Sequence, residues 1–131
     1  MSEYKPDDYI NYRINRANET ILEVEVLIKN KFWNTAINRM YYACFYAIGA
    51  LLVKNKIETS SHSGSRQKFG QLFVQTEKIS KELAKCYTEL FEKRLKGDYN
   101  DFFDNDEKTV NRLIEPTKMF IKKVEELILN D

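Results

Sequence analysis

Five polar side chains have types and positions suited to chemistry: Arg39, His62, Arg94, Asp98 and Tyr99. Arginine offers a planar fork of donors to phosphate, aspartate accepts hydrogen bonds from an amine or a hydroxyl, and tyrosine stacks or donates. These properties predict an anion- or nucleotide-binding site formed by the arginines, the aspartate and the tyrosine. The candidates for a catalytic role are the histidine, Arg94, Asp98 and Tyr99, and none of them is assigned one.

Arg94 and Asp98 are four residues apart at the end of a predicted helix. The simplest interpretation is an i,i+4 ion pair of roughly 0.3–0.5 kcal/mol, although the preferred order places the acid first. An aspartate at a helix C-terminus also opposes the helix dipole. A pair so poorly suited to local stability indicates either a tertiary network or contact with an anion, and both remain open.

Arg39 lies on an otherwise apolar helix, where an unpaired charge is costly. Its expected partner is Asp98 or a carboxylate of the first helix, such as Glu23. A buried ion pair that orients the helices is favoured over ligand binding. The aromatic residues beside it are interpreted as core and dimer-interface residues rather than as a stacking platform for RNA; they are Tyr41, Tyr42, Phe45 and Tyr46.

His62 is the only histidine, and it precedes Arg94 by more than thirty residues. Proximity between the two in space is not visible in the sequence. A histidine that bonds a backbone carbonyl, or that caps the third helix, is favoured over a catalytic one. One histidine with scattered carboxylates lacks the ligand spacing of a metal site, and no cofactor is expected.

Hydrophobic periodicity predicts helices that would position these residues. The first repeats apolar residues from Ile10 to Ile28 and is expected to be capped by Asp7 and Asp8. The second, about Phe32 to Lys56, is apolar around most of its circumference and should therefore be central. Residues 57–65 have the composition of a loop.

Three further helices complete the prediction. A short third helix carries Phe69, Leu72 and Phe73. A fourth spans about Ile79 to Lys96, with Gly97 as its stop signal. A fifth opens with a capping box of Asp104 and Glu107 and is expected to kink near Arg112, because Pro116 lies inside it.

Length and composition define the class of protein. The chain has 131 residues, one domain's worth, with only four Gly and two Pro, too few for a many-turned β fold. We predict one all-α domain over residues 1–131, a single up-and-down bundle of four to five helices. Cys44 and Cys86 are expected to be buried and unpaired.

Charge and hydropathy constrain partners and location. The 21 Lys and Arg nearly balance the 20 Asp and Glu, so the net charge of +1 requires neither a nucleic-acid nor a membrane partner. Residues 66–96 carry a local net charge of +4, and residues 97–131 carry one of −4. Solvated faces are favoured over docking patches as the interpretation of these charges. The N-terminus is polar, and the longest uncharged run, 40–53, is shorter than the roughly 20 residues of a membrane span. We therefore expect a cytoplasmic protein.

Three sequence pieces occur together and in a specific order. They are Arg39–Ala47 followed by Ala50–Leu52; His62–Gly64 with Phe69 and Phe73; and Arg94–Tyr99. In this order and at these separations the chain resembles HEPN domains, most closely the small stand-alone bacterial and archaeal group. The resemblance covers about residues 9–127 and implies a bundle of four or five helices.

The resemblance also implies functions. HEPN domains usually form dimers, and many pair with a minimal nucleotidyltransferase in toxin–antitoxin-like modules. Many others are metal-independent ribonucleases with an arginine, four to six further residues and a histidine. After Arg94 that window holds Tyr99, Asn100 and Asp101 but no histidine. The leading hypothesis is therefore a nucleotide-binding interaction module, with a ribonuclease as the alternative. In some pairs the transferase modifies a tyrosine in this region, for which Tyr99 is the candidate.

Overall fold

The computed structural model describes residues 5–99 and 104–130, with side chains described for all of these except Asp98 and Tyr99. The described residues form five α-helices and no strand. They are α1 (Pro6–Lys29), α2 (Trp33–Lys54), α3 (His62–Phe69), α4 (Lys81–Tyr99) and α5 (Glu107–Leu129), and a π-helical turn, Gly70–Val74, continues α3. The protein is thus an all-α bundle, as predicted.

α2 is the central helix, in contact with α1, α3, α4 and α5. Its apolar residues face three or more neighbours, which explains why so much of its circumference is hydrophobic. Small side chains allow this close packing, because Ala36, Ala43, Ala47 and Ala50 are all fully buried. The predicted central position of the second helix is confirmed.

By length and composition α2 also resembles a membrane span, with a mean hydropathy of 1.3 over its most apolar window. The helix is longer than the uncharged run 40–53 because it includes flanking polar residues such as Arg39. In the folded chain 61% of that window is buried by other parts of the bundle. A helix in the core of a globular bundle can have the same length and composition, so this feature is weak evidence for insertion into a membrane.

α1 begins one residue earlier than its expected acidic caps. Pro6 occupies the first turn, where its fixed φ suits a helix and its missing N–H would be unbonded anyway. Lys5 stands at the N-cap without a side-chain hydrogen bond. The prediction that Asp7 and Asp8 cap the helix is wrong: they lie inside the first turn, where their charges complement the helix dipole.

α1 and α2 end in the same way, with a lysine in the left-handed conformation: φ is 63° at Lys31 and 60° at Lys56. In each case two backbone N–H groups donate hydrogen bonds to carbonyls of the last turn, as in a Schellman motif. After α2 the bond runs from the N–H of Ile57 to the carbonyl of Leu52 at 2.9 Å. This turn directs the segment 57–61 back along the bundle.

The predicted ends of α4 and α5 need correction. α4 continues through Gly97 to Tyr99, because Gly97 does not adopt the positive φ of a helix stop. The N-cap of α5 is Asp106, whose carboxylate accepts a hydrogen bond from the N–H of Thr109 at 2.9 Å. Asp104 instead accepts one from the amide of Asn34 at 3.0 Å, a tertiary contact that replaces the expected capping box.

α5 runs without interruption past Pro116 to Leu129, and the kink near Arg112 stays a prediction. Arg112 forms a two-pronged salt bridge with Glu89 of α4, one prong measuring 2.9 Å between Nη1 and Oε1. The guanidinium lowers the pKa of the Glu89 carboxyl. Cys44 and Cys86 are buried and unpaired, as predicted, and burial raises the pKa of both thiols.

Candidate functional site

His62 is the first residue of α3, because the chain enters that helix earlier than its loop-like composition suggests. The hydroxyl of Ser61 accepts a hydrogen bond from the N–H of Gly64 at 2.9 Å and so caps the helix. The loop predicted over residues 57–65 therefore ends at Ser61. This cap, rather than the histidine, satisfies the helix end and leaves the imidazole available for tertiary contacts.

The imidazole of His62 packs against three aromatic residues of α2, of which Tyr41 and Phe45 lie one turn apart. Its Nδ1 lies 2.6 Å from the hydroxyl oxygen of Tyr41. Its ring stacks on Phe45 with centroids 4.3 Å apart and planes inclined by 25°. The expected bond to a backbone carbonyl is thus replaced at Nδ1 by a side-chain bond, which fixes the position of the ring.

Arg94 of α4 reaches the same tyrosine. Its guanidinium carbon lies 5.2 Å from the ring centroid of Tyr41 and 5.6 Å from that of Tyr42, which is cation–π distance. His62 and Arg94 therefore meet at one side chain of α2, although they are far apart in sequence. The structure brings together the two candidates whose proximity the sequence left open.

Arg39 does not form the ion pair that was expected with Glu23. Its guanidinium carbon lies 5.0 Å from the ring centroid of Tyr42, and its buried Nε has no hydrogen-bond partner among the described residues. Glu23 instead lies 3.8 Å from Arg16. Arg39 and Glu23 belong to different contacts because α2 turns Arg39 towards the tyrosines and not towards the charged side of α1. The alternative partner, Asp98, has a side chain outside the described part.

The arginines, the histidine and the aromatic rings form one group, which we call the Tyr41 cluster; its members are Arg39, Tyr41, Tyr42, Phe45, His62 and Arg94. Burial raises the pKa of Tyr41 to about 12, and the charge of Arg94 lowers it less strongly. The phenol is therefore neutral at physiological pH. In the tautomer of His62 with its proton on Nε2, the Tyr41 hydroxyl donates to Nδ1.

The remaining predicted site residues follow Arg94 along the chain. The backbone of Asp98 and Tyr99 forms the last turn of α4, which places both about one helical turn from Arg94. Their side chains, and all of Asn100 and Asp101, lie outside the described residues. Within residues 5–99 and 104–130 no group of His, Cys, Asp and Glu side chains has the arrangement needed to hold a metal ion.

The part that Tyr41 and Phe45 take in this cluster was not predicted from the sequence. Both were assigned to the core or to a dimer interface, and Tyr41 is indeed fully buried. Their i,i+4 spacing places them on one side of α2, a detectable signal, but nothing local shows that a histidine covers that side. Chemically, the cluster combines planar cationic donors, an imidazole and aromatic faces, a combination that fits an anionic ligand carrying a ring.

The fold and this cluster define a class: a small helical bundle whose central helix carries tyrosines flanked by arginines and a histidine. Comparison with protein families agrees, because the model of the HEPN domain matches residues 10–127. The chain belongs to the HEPN family.

Similar proteins occur in bacteria and archaea. A UPF0332 protein of Thermotoga maritima is 39% identical over 119 residues, which are 91% of this chain and 90% of that protein. Two proteins of Methanocaldococcus jannaschii, each named a putative toxin, are 26% and 27% identical and cover 89% and 88% of this chain, with 80% and 85% of their own lengths matched. The relatives thus match over nearly the whole domain.

Proposed function

We propose that this protein is a toxin-like HEPN module that binds a nucleotide at the Tyr41 cluster. The observation that carries the proposal is the convergence of His62 and Arg94 on Tyr41, with Arg39 over the adjacent Tyr42. Guanidinium groups bind phosphate oxygens, and Tyr42, whose ring is only partly buried, offers an aromatic surface to a base. The relatives named as toxins support the broader role.

The partner we propose is a minimal nucleotidyltransferase encoded beside it, with this chain acting in the cytoplasm as a homodimer. Large apolar side chains exposed on α1 support an interface: Tyr12, Leu22 and Val26 are each about 60% exposed. At 100° per residue they lie within roughly 80° of one another around the helix. A symmetric dimer would cover the same patch on both copies.

Sedimentation velocity at micromolar concentration tests the dimer. We expect a species of twice 15.6 kDa for the wild type and a shift towards the monomer for Leu22→Asp. A wild-type protein that sediments only as a monomer would exclude the dimer. Copurification with the product of an adjacent nucleotidyltransferase gene tests the partner, and failure to copurify would count against it.

Fluorescence anisotropy with labelled ATP and with a short labelled RNA tests the binding site. We expect Arg94→Ala to weaken binding by about tenfold or more, roughly 1.4 kcal/mol, with salt weakening the wild-type complex as well. Arg94→Lys keeps the charge without the planar fork and should recover only part of the affinity. Thermal melts by circular dichroism establish that each variant is folded.

Arg66 provides a matched control, because its guanidinium carbon lies 4.8 Å from the ring centroid of Phe91, also at cation–π distance. Arg66→Ala removes the same charge from a different stacked pair and should leave affinity nearly unchanged. If folded Arg94→Ala binds the labelled RNA like the wild type, the assignment of the site is wrong.

The same convergence favours a second candidate, a ribonuclease. In that reaction His62 would exchange a proton with the ribose 2′-hydroxyl and Arg94 would stabilise the phosphate. His62 would then take the place of the histidine that follows the corresponding arginine in catalytic HEPN domains. Our leading proposal predicts little RNA cleavage in the presence of a chelator. Robust cleavage that both His62→Ala and Arg94→Ala abolish would establish the ribonuclease instead.

A further inference from the structure

A cavity of about 690 Å³ lies between α1, α2 and the segment that leads into α3. It contacts the Tyr41 cluster at Phe45 and His62 but contains neither Arg39 nor Arg94. One wall is apolar and is formed by Phe45, Leu52, Val53 and Ile57. The remaining lining is largely polar and includes Arg13 and the hydroxyl-bearing segment Thr59–Ser61. The cavity is therefore amphipathic.

Arg13 of α1 is held in a defined position beside this cavity. Its Nη2 donates to the carbonyl of Phe45 at 3.3 Å, and its Nε donates to the carbonyl of Tyr46 at 3.4 Å. The guanidinium carbon lies between 5.2 and 5.7 Å from the ring centroids of Tyr9, Phe45 and Tyr46. Such a cation has little freedom left to lose when a ligand binds.

Gly49 makes room for this guanidinium. A Cβ at position 49 would lie 2.2 Å from Nη2 of Arg13, a distance that real atoms do not adopt. At this position α2 therefore admits the head group of an arginine from α1. A glycine inside a helix costs about 1 kcal/mol relative to alanine, so its presence is explained by the position of Arg13.

The charge of Arg13 is not neutralised by a carboxylate within the described ranges. No described ion pair includes it, whereas Arg16, one turn later, lies 3.3 Å from Glu19 and 3.8 Å from Glu23. The two carbonyls that Arg13 bonds are neutral. Glu58 also lines the cavity, but it is exposed and not within ion-pair distance of Arg13. A half-buried cation in this situation favours an anion in the adjacent cavity.

The polar wall supplies further donors. Thr59 and Ser65 bond each other through their hydroxyl oxygens at 2.7 Å, and Ser61 caps α3. The hydroxyl of Ser60 is exposed, and that of Ser61, which accepts at the cap, keeps its own proton to donate. Arginine and hydroxyl donors together match the oxygens of a phosphate, and the apolar wall matches a ring attached to it.

We propose that this cavity binds a phosphate monoester that carries a ring, such as a nucleoside monophosphate, through Arg13. The phosphate lies against the guanidinium and the serine hydroxyls, and the ring lies against Val53 and Ile57, which are only partly buried. This site is distinct from the Tyr41 cluster, and the proposal does not require nucleotide binding there.

Isothermal titration calorimetry of the full chain with AMP and with inorganic phosphate tests the proposal. The Arg94→Ala variant is used as the background, so that binding at the Tyr41 cluster does not contribute. We expect AMP to bind saturably and phosphate to bind about tenfold or more weakly, because phosphate lacks the ring. In the same background Arg13→Met should reduce AMP affinity by about tenfold or more.

Three further variants separate placement from charge. Arg16→Met removes a nearby cation that already has carboxylate partners and should change affinity less than about twofold. Gly49→Ala keeps the charge of Arg13 but displaces its head group, so affinity should fall while circular dichroism shows a folded chain. Glu58→Gln removes a negative charge that repels the phosphate of AMP and should increase the affinity for AMP.

The outcomes distinguish this proposal from the one above. Loss of all AMP binding in Arg94→Ala overturns the second site and leaves the Tyr41 cluster as the nucleotide site. Unchanged AMP affinity in folded Arg13→Met also overturns it. AMP binding that survives Arg94→Ala and falls in Arg13→Met and Gly49→Ala supports it.

Discussion

Two faces of α2 differ in what covers them. One face carries Met40, Cys44, Ala47 and Leu51, all fully buried among apolar side chains of the other helices. The other carries Tyr42, Phe45 and Tyr46, which are only partly buried and lie under guanidinium groups. Four arginines from three helices contact the rings of this second face or of Tyr41 beside it: Arg13, Arg16, Arg39 and Arg94.

The difference indicates that the two faces of α2 serve different purposes, a division between stability and binding. The apolar face gains free energy by removing surface from water and needs no particular geometry beyond close packing. On the aromatic face guanidinium groups lie over rings, and Arg13 does so without a carboxylate partner among the described residues, an arrangement that contributes less to stability and more to recognition of anions. Stability and binding should therefore respond to mutation on different faces.

The largest effect is expected on the apolar face. Ile48 is fully buried, and Ile48→Ala should lower the free energy of unfolding by about 2–5 kcal/mol, because it removes buried methyl groups and leaves a cavity. Tyr42→Ala removes more atoms but should cost less, since Tyr42 is partly exposed and the space left opens to solvent. Urea denaturation measures both, and an equal or greater loss for Tyr42→Ala would contradict the division.

An intermediate effect is expected at Tyr41, where the two faces meet. Tyr41→Phe leaves Nδ1 of His62 without its hydroxyl partner and should cost about 0.5–1.5 kcal/mol at neutral pH. The effect should also depend on alkaline pH. Because burial raises the pKa of Tyr41 to about 12 from an ordinary value of 10.0, folding favours the protonated phenol.

The stability contributed by that phenol is complete below pH 10 and is lost as the pH rises from about 10 towards 12. The Tyr41→Phe variant should therefore lose stability less steeply over this range than the wild type does. Some decline should remain, because burial also raises the pKa values of Tyr87 and Cys44. Parallel declines in the two proteins would show that Tyr41 does not contribute to the pH dependence.

The smallest effect on stability is expected at Arg39. Its contact with Tyr42 is offset by a buried Nε that lacks a described hydrogen-bond partner, so Arg39→Met should change the free energy of unfolding by less than about 1 kcal/mol. Binding of the labelled RNA should nevertheless weaken. A stability loss of about 3 kcal/mol or more would instead indicate a buried ion pair.

The helices and their buried faces could be predicted because they depend on local periodicity. Buried positions on α1 and α5 follow steps of three and four residues, as at Val110, Leu113 and Thr117. The caps were less predictable. Asp104 and Asp106 are chemically equivalent as caps. The side-chain amide of Asn34, seventy residues before Asp104 in the chain, donates a hydrogen bond to Asp104, and Asp106 caps α5 instead.

The candidate site was predicted as a set of residue types but not as an arrangement. Arg39 and Arg94 stood out because charges are unusual in their local surroundings. Tyr41 bonds His62, which lies 21 positions later in the chain. Arg13 packs against Gly49, and these two residues are more than 30 positions apart. No local pattern encodes such contacts.

By itself, the sequence determined an all-α bundle, a central second helix and a small group of candidate polar residues, because hydrophobic period and residue chemistry are local properties. Only the tertiary structure decided which aromatic ring each cation covers and which cation lacks a carboxylate partner. Those outcomes depend on how the helices pack against one another, since cation–π contacts and hydrogen bonds act over a few ångströms between residues distant in the chain.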